Sequence, residues 1–165
     1  MATRRTVIAT ALANAIPIAT AKSAVPAAAI RKEKIAIIGT GRVGSGCGKH
    51  WIAAGHAVIF GSRTPTPEKA SDLARVVGAK VAIASNLNAA RAADIILLAV
   101  PYGVMQETLA GVGDLAGKIL IDPCNPPASP VNGFPLLADP SISASEQILA
   151  WAPGTKVVKA LNHVN

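Results

Sequence analysis

The residues of this chain whose types and spacing could do chemistry are three glycines and a Ser-Arg pair. Gly39, Gly41 and Gly44 stand at the spacing G-x-G-x-x-G, with Thr40, Arg42 and Val43 between them. In such a loop the first glycine allows a tight turn and the second lets the backbone approach a pyrophosphate. The third lets the following helix lie against a sheet. A helix starting near Arg42 offers the phosphates its unpaired N–H groups and the positive end of its dipole. Arg42 either adds a cation above the pyrophosphate or adenine, or points to water. A glycine-rich turn without function is the plain alternative. Here the motif has the context it requires, an apolar run before it, a helix after it and a second strand at Ala57 to Phe60.

The Ser-Arg pair bears on which dinucleotide would bind. At the end of its second strand an NAD site carries an acid that holds the ribose 2'-hydroxyl. This chain has Gly61, Ser62 and Arg63 there and no acid before Glu68. A carboxylate would repel a 2'-phosphate, whereas Ser62 can donate a hydrogen bond and Arg63 can form a charge-assisted fork. The pattern predicts NADP(H).

Positioning these groups requires an α/β architecture. Ile35 to Ile38 is short and wholly apolar, as a buried parallel strand is. Gly44 and Gly48, four apart, share one helix face and allow close packing. Thr66, Pro67 and Glu68 form a good helix start, and that helix ends near Gly78. A strand at Val81 to Ala84 follows, with Ser85 capping a short helix to about Ala92. Ile95 to Val100 reads as a central strand, and Val100-Pro101 at its carboxyl end lies where doubly wound sheets bind ligands. Tyr102 there either shields a nicotinamide or flavin face or is a half-exposed loop aromatic. Lys118 to Ile121 is the fifth strand. Asp122 after it is expected to brace the proline-rich turn rather than act as an acid. Pro123 to Pro140 reads as an irregular loop or lid. Ser143 to Glu146 is a capping box for a helix through Trp151, and Lys156 to Leu161 is the sixth strand. Strands and helices alternating in this way predict a Rossmann-type, doubly wound parallel sheet, three-layer αβα, in the order 3-2-1-4-5-6.

Composition excludes other classes. The chain of 165 residues carries a net charge of +7. Residues 1 to 34 hold six cations against the single acid Glu33, so +5 of that charge lies there and +2 remains for the rest. That is too little and too scattered for a nucleic-acid surface. Arg4-Arg5 before the mildly apolar stretch Val7 to Ile18 resembles a twin-arginine signal, with Ala19-Thr20-Ala21 as its cleavage site. The stretch is too short and interrupted to span a bilayer stably. Residues 1–30 are therefore expected to be an export signal and linker, and 31–165 the nucleotide-binding domain. The expected location is periplasmic or exported; a transit peptide or a plain extension, with a cytoplasmic protein, is the alternative. Cys47 and Cys124 lack metal-ligand spacing, and Cys47 reads as a small core residue. His50 and His56 read as packing or capping residues. His163 invites a proton-transfer role that a direct hydride transfer does not need. No catalytic residue and no metal ligand is assigned.

The blocks KIAIIGTGRVG, AGHAVIFGSR, ADIILLAVPY, LAGKILIDPCNP and KVVKALN, in this order, resemble the NADPH-dependent coenzyme F420 reductase family. Neighbouring families are the STEAP-type ferric reductases and, more remotely, the pyrroline-5-carboxylate reductases. The resemblance runs from about Lys34 to the end. It implies a Rossmann fold that moves hydride between NADPH and coenzyme F420, a flavin or a similar small-molecule acceptor. Thr40, Gly41, Arg42 and Val43 resemble the family's phosphate loop, and Ser62 and Arg63 its 2'-phosphate pair. Val100 and Pro101 resemble its nicotinamide-side loop, and Ala160 falls where a residue near the nicotinamide is expected. The family's lysine just after the Ser-Arg pair is not matched, since Thr64 to Pro67 follow; Lys69 is a shifted candidate. Family members usually continue past the KALN block to complete the acceptor site. This chain is then a fragment, or a shortened member that completes its pocket with a partner subunit, as in a homodimer. A non-catalytic NADP(H)-binding or sensor module is one alternative function. Reduction of a small imine or ferric chelate is the other.

Overall fold

The computed structural model describes residues 31–126 and 141–162. The apolar run becomes β1 (Lys34–Ile38), buried at each of its four apolar positions. Its side chains divide by parity, as a strand's must. Ile35 and Ile37 enter one core, and Ala36 and Ile38 enter the other. Next come α1 (Arg42–Ala53), β2 (Ala57–Ser62), α2 (Pro67–Val77), β3 (Ala82–Ser85), α3 (Asn86–Arg91) and β4 (Ile95–Leu98). A single 3-10 turn (Tyr102–Val104), α4 (Met105–Gly111), β5 (Ile119–Asp122), α5 (Ala144–Trp151) and β6 (Lys156–Lys159) complete the order.

All ladders are parallel, and the strands lie in the order β3-β2-β1-β4-β5-β6. Helices α1 and α2 cover one face around Ile37, Phe60, Leu73 and Leu97, while α3, α4 and α5 cover the other around Ile38, Ile96, Met105 and Ile148. This is the expected three-layer, doubly wound architecture. Its direction reverses between β1 and β4, so a crevice opens above their carboxyl ends, where such folds bind ligands.

Close contact of α1 with the sheet rests on missing side chains. A Cβ on Gly44 would stand 2.1 Å from the Gly39 carbonyl oxygen, and one on Gly48 would stand 2.3 Å from Phe60 Cζ. Helix α2 starts as its sequence dictates: Thr66 Oγ1 accepts from the Lys69 N–H at 3.2 Å, Pro67 occupies the first turn, and Gly78 closes the helix at φ +77°. In α5 the Ser143-Glu146 box closes both ways, which holds the Glu146 carboxyl below its ordinary range.

Several elements differ from expectation: β2 runs on to Ser62, and β3 and β5 each start and end one residue later. Strand β4 stops at Leu98, because β1 has already turned away at Gly39 and Pro101 has no N–H to donate. Strand β6 stops at Lys159, and Leu161 at φ +65° ends the extended run. Helix α4 was not expected from the sequence; its apolar positions Met105 and Leu109, with Val112 after it, follow the helical interval and are buried. Among the described residues, no helix is long and apolar enough to cross a membrane. The expected export signal and linker at residues 1–30, most of the expected loop or lid from Pro123 to Pro140, and His163 lie outside the described residues.

Candidate functional site

The phosphate loop starts where β1 ends. Gly39 has φ +111°, and a Cβ there would stand 2.2 Å from the Ala99 carbonyl oxygen, so turn and packing both require glycine. Gly41 is different. Its φ is −75°, and a Cβ built on it meets nothing within 4 Å. Neither backbone strain nor a protein neighbour explains a glycine at 41. What the bare Cα leaves is clear space beside the start of α1.

That helix start has an unusual lack of partners. Gly41 has no side chain to cap α1, and no acid lies in its first turn. By contrast, α2 has Thr66 and Glu68, and α5 has Ser143 and Glu146. The first N–H groups of a helix have no intrahelical acceptors. In α1 no side chain supplies one, so these donors and the positive dipole end face outward, as an anion site requires.

A cleft of about 490 Å³ opens at the carboxyl ends of β1, β2 and β4. Six sequence-predicted residues line it: Gly39, Thr40, Ser62, Arg63, Val100 and Pro101. Ser62 is the last residue of β2 and buried; its Oγ accepts from the Thr64 N–H at 3.3 Å. Lys69 reaches back from the first turn of α2 and donates to Ser62 Oγ at 3.1 Å and to Thr64 Oγ1 at 3.0 Å. The lysine missing directly after the Ser-Arg pair is thus supplied from one helical turn inside α2. Among the described residues, neither Arg63 nor Lys69 is paired with a carboxylate. Lys69 bridges two hydroxyls, Arg63 lines the same cleft, and neither cation has a carboxylate partner; that donor set fits a phosphate monoester.

Gly41 and Arg42 line a second hollow of about 320 Å³ with Ser45, Leu73 and Val76; Thr40 and Lys69 line both hollows. Val43 is exposed on α1 and Gly44 is a packing residue; neither lines a hollow. Ala160, just past β6, lines neither hollow, and its N–H donates to the Asp122 carbonyl at 3.2 Å. Residues of the cleft that sequence reasoning missed are Asn86 and Leu87 from α3 and Val104, Glu107, Thr108 and Gly111 from the α4 region. The apolar spacing of Met105, Leu109 and Val112 was the signal for the second group.

Tyr102 is not a half-exposed loop aromatic. It is buried, its hydroxyl donates to Gln147 Oε1, and its ring lies 6.0 Å from that of Trp151. Gln147 and Trp151 on α5 hold it in the core, and it lines neither hollow. Asp122 is the brace its place suggested. Fully buried, it accepts from the Cys124 N–H at 2.8 Å, from Ser145 Oγ at 2.8 Å and from Lys159 Nζ at 3.0 Å. Burial, helped by the Asp122 charge, pushes the Cys124 thiol up to about 11. Cys47 is half-buried against the α1–α2 core, and burial raises its thiol too. His56 Nδ1 accepts from the Glu33 N–H at 3.2 Å, a structural contact at the opposite end of β1.

A sequence profile of the family described as NADP oxidoreductase, coenzyme F420-dependent, matches residues 34–126. The chain is similar to the F420-dependent NADP reductase of Methanothermobacter thermautotrophicus, with 34% identity over 145 residues, 80% of this chain and 62% of that protein. Its counterpart in Methanothermobacter marburgensis is 32% identical over 143 residues, 80% of this chain and 64% of that protein. Among solved structures, a protein of Arthrobacter sp. FB24 assigned as an F420-dependent NADP reductase superposes with a TM-score of 0.69 at 32% identity. That match covers 81% of this chain and 64% of the other. The chain thus spans under two thirds of the length of these relatives.

Proposed function

The chain belongs to the coenzyme F420-dependent NADP oxidoreductase family, and from that premise we propose that it binds NADP(H) across the crevice and serves hydride transfer to or from coenzyme F420, a flavin or a similar acceptor. The observation that carries this reading is the bare start of α1, where a glycine that the fold does not need leaves room beside unpaired donors. A diphosphate supplies the missing acceptors. The Ser62, Arg63 and Lys69 cluster supports the 2'-phosphate, because two uncompensated cations and a buried hydroxyl match a dianion and offer little to a 2'-hydroxyl.

When bound, the dinucleotide supplies the hydride or takes it up. The work of the protein is orientation. Thr40 to Gly44 hold the diphosphate, Ser62, Arg63 and Lys69 fix the adenosine ribose, and Val100 and Pro101 form the wall toward the nicotinamide. Ala160 lines neither hollow, and its place near the nicotinamide rests on the family resemblance alone. In this scheme no side chain has to move a proton. A non-catalytic NADP(H)-binding module uses the same cleft. Assaying NADPH oxidation with a deazaflavin, FMN and ferric chelates separates the two: turnover with the deazaflavin or FMN supports the reductase, and tight binding without turnover supports the module.

The primary test is titration of NADPH and NADH against wild type, Arg63→Ala and Lys69→Met. Each substitution is expected to weaken NADPH by ~1–3 kcal/mol, the scale of a lost charged hydrogen bond, and to leave NADH nearly unchanged. Equal losses for both cofactors would remove the case for NADP(H). The same reading takes residues 1–30 as an export signal and linker ahead of the domain at 31–165. A mature N-terminus at Lys22 in a periplasmic extract is expected by mass spectrometry, and an intact Met1 or Ala2 overturns it.

A further inference from the structure

Asn86 opens α3 at the carboxyl end of β3, and its Oδ1 is the only buried side-chain nitrogen or oxygen among the described residues without a hydrogen-bond partner. Leaving a buried amide oxygen unpaired normally costs more than replacing the amide with an apolar group of the same shape. The neighbouring strand makes room for this carboxamide. A Cβ on Gly61 would stand 2.9 Å from Asn86 Oδ1 and 2.7 Å from Ile38 Cδ1. Two positions are therefore committed to a polar group that the protein itself does not satisfy. Buried polar atoms in folded proteins nearly always have a partner, and here the space beside the side chain is the 490 Å³ cleft.

The charges of the cleft indicate which part of a ligand reaches Asn86. Its cations, Arg63 and Lys69, come from the end of β2 and from α2, on one side of the sheet. Asn86 and Glu107 come from α3 and α4, which pack on the other. A carboxylate on that wall repels phosphate, so the phosphates belong with the cations and the uncharged base belongs with Asn86. Adenine presents an exocyclic amine next to a ring nitrogen, a donor beside an acceptor. A carboxamide presents the complementary acceptor and donor, the pairing by which Asn reads adenine in DNA.

We propose that Asn86 reads the adenine edge of the bound dinucleotide, accepting from the exocyclic amine and donating to the adjacent ring nitrogen, and so selects adenine over hypoxanthine. This rests on the dinucleotide reading of the cleft. Engagement requires the carboxamide to turn about χ2, a broad torsion that no internal hydrogen bond of this side chain opposes. The ring nitrogen in this pairing is N7; on that edge hypoxanthine carries a carbonyl in place of the amine, has no N–H, and offers Oδ1 no donor.

The test is fluorescence titration of NADPH and of its hypoxanthine analogue against wild type, Asn86→Leu and Asn86→Ser, with NADH as a third ligand. Wild type is expected to prefer adenine about tenfold, the scale of one well-made hydrogen bond. Both variants should bring the two bases within about twofold of each other while keeping the NADPH-to-NADH ratio, which a general collapse of the site would not preserve. Asn86→Ser covers the case in which Asn86→Leu does not fold. A wild type indifferent to the base, or variants that keep the tenfold preference, overturns the assignment of Asn86 alone. Failure of wild type to bind NADPH overturns the dinucleotide reading together with it.

Discussion

The carboxyl edge of the sheet is built in two opposite ways. Above β1 and β2 several polar groups lack a partner or counter-charge among the described residues: the helix start is uncapped, Arg63 and Lys69 have no carboxylate, and Asn86 Oδ1 has no donor. Above β5 and β6 the polar groups are satisfied. Asp122 accepts three hydrogen bonds, and Lys159 both pairs with it and donates to the Cys124 carbonyl. Unpaired polar groups are costly in a fold, and their concentration at one end marks the end that awaits a ligand. A buried carboxylate that already accepts three hydrogen bonds has little left for chemistry. Asp122 is thus set apart from the machinery, although an aspartate in a cleft-side loop is an obvious suspect.

Four measurements would break or sharpen this contrast. The largest effect is expected for Gly44→Ala, whose Cβ would lie 2.1 Å from a backbone oxygen. A loss of ~3 kcal/mol or more of unfolding free energy in urea is the expected cost of such overpacking. A normal stability would mean that α1 does not need this glycine. Next is Lys159→Met, which strips a half-exposed cation from a buried carboxylate. A stability loss of ~2 kcal/mol, with NADPH affinity unchanged, would place the β5–β6 end on the structural side of the contrast. Gly41→Ala should do the reverse. No protein atom meets its Cβ, so the melting temperature is expected to hold while NADPH binding falls about tenfold, or ~1.4 kcal/mol. Loss of stability with intact binding would reverse the roles given to Gly41 and Gly44.

The smallest effect is a dependence on pH. In the native protein the Cys124 thiol is raised from 9.0 to about 11, so as pH climbs past 9 the unfolded chain loses this proton first. The native state then holds the extra proton, and stability falls between pH 9 and 11 by roughly 1 kcal/mol, allowing for partial solvent screening. Below pH 9 this thiol contributes no slope. Denaturation curves of wild type and Cys124→Ala across that interval check it; a slope that survives the substitution belongs to another group.

The β1–α1–β2 unit was legible in the sequence because its rules are short-range. An unbroken apolar run, glycine spacing and a Ser-Arg pair all act within 30 residues, and four of the residues they single out, Gly39, Thr40, Ser62 and Arg63, line the cleft. The sheet order followed from alternation alone. What escaped depends on distant parts of the chain. Tyr102 is buried by Gln147, 45 residues further on. Helix α4 has only seven residues, too few for its period to stand out against a loop. The role of Asn86 depends on Gly61, on the adjacent strand, having no side chain; no sequence pattern links the two positions.

Ser62 and Ser85 face each other across the pairing of β2 with β3, and β3 is a four-residue strand at the sheet's margin. In the proposed reading, the arms for the shared diphosphate hang from the central strand, whereas the arms for telling one adenosine ribose from another sit beside this margin. Margins fray before centres. On mild warming, then, the protein is expected to become indiscriminate before it becomes unable to bind, with its choice of coenzyme melting earlier than its hold on either one.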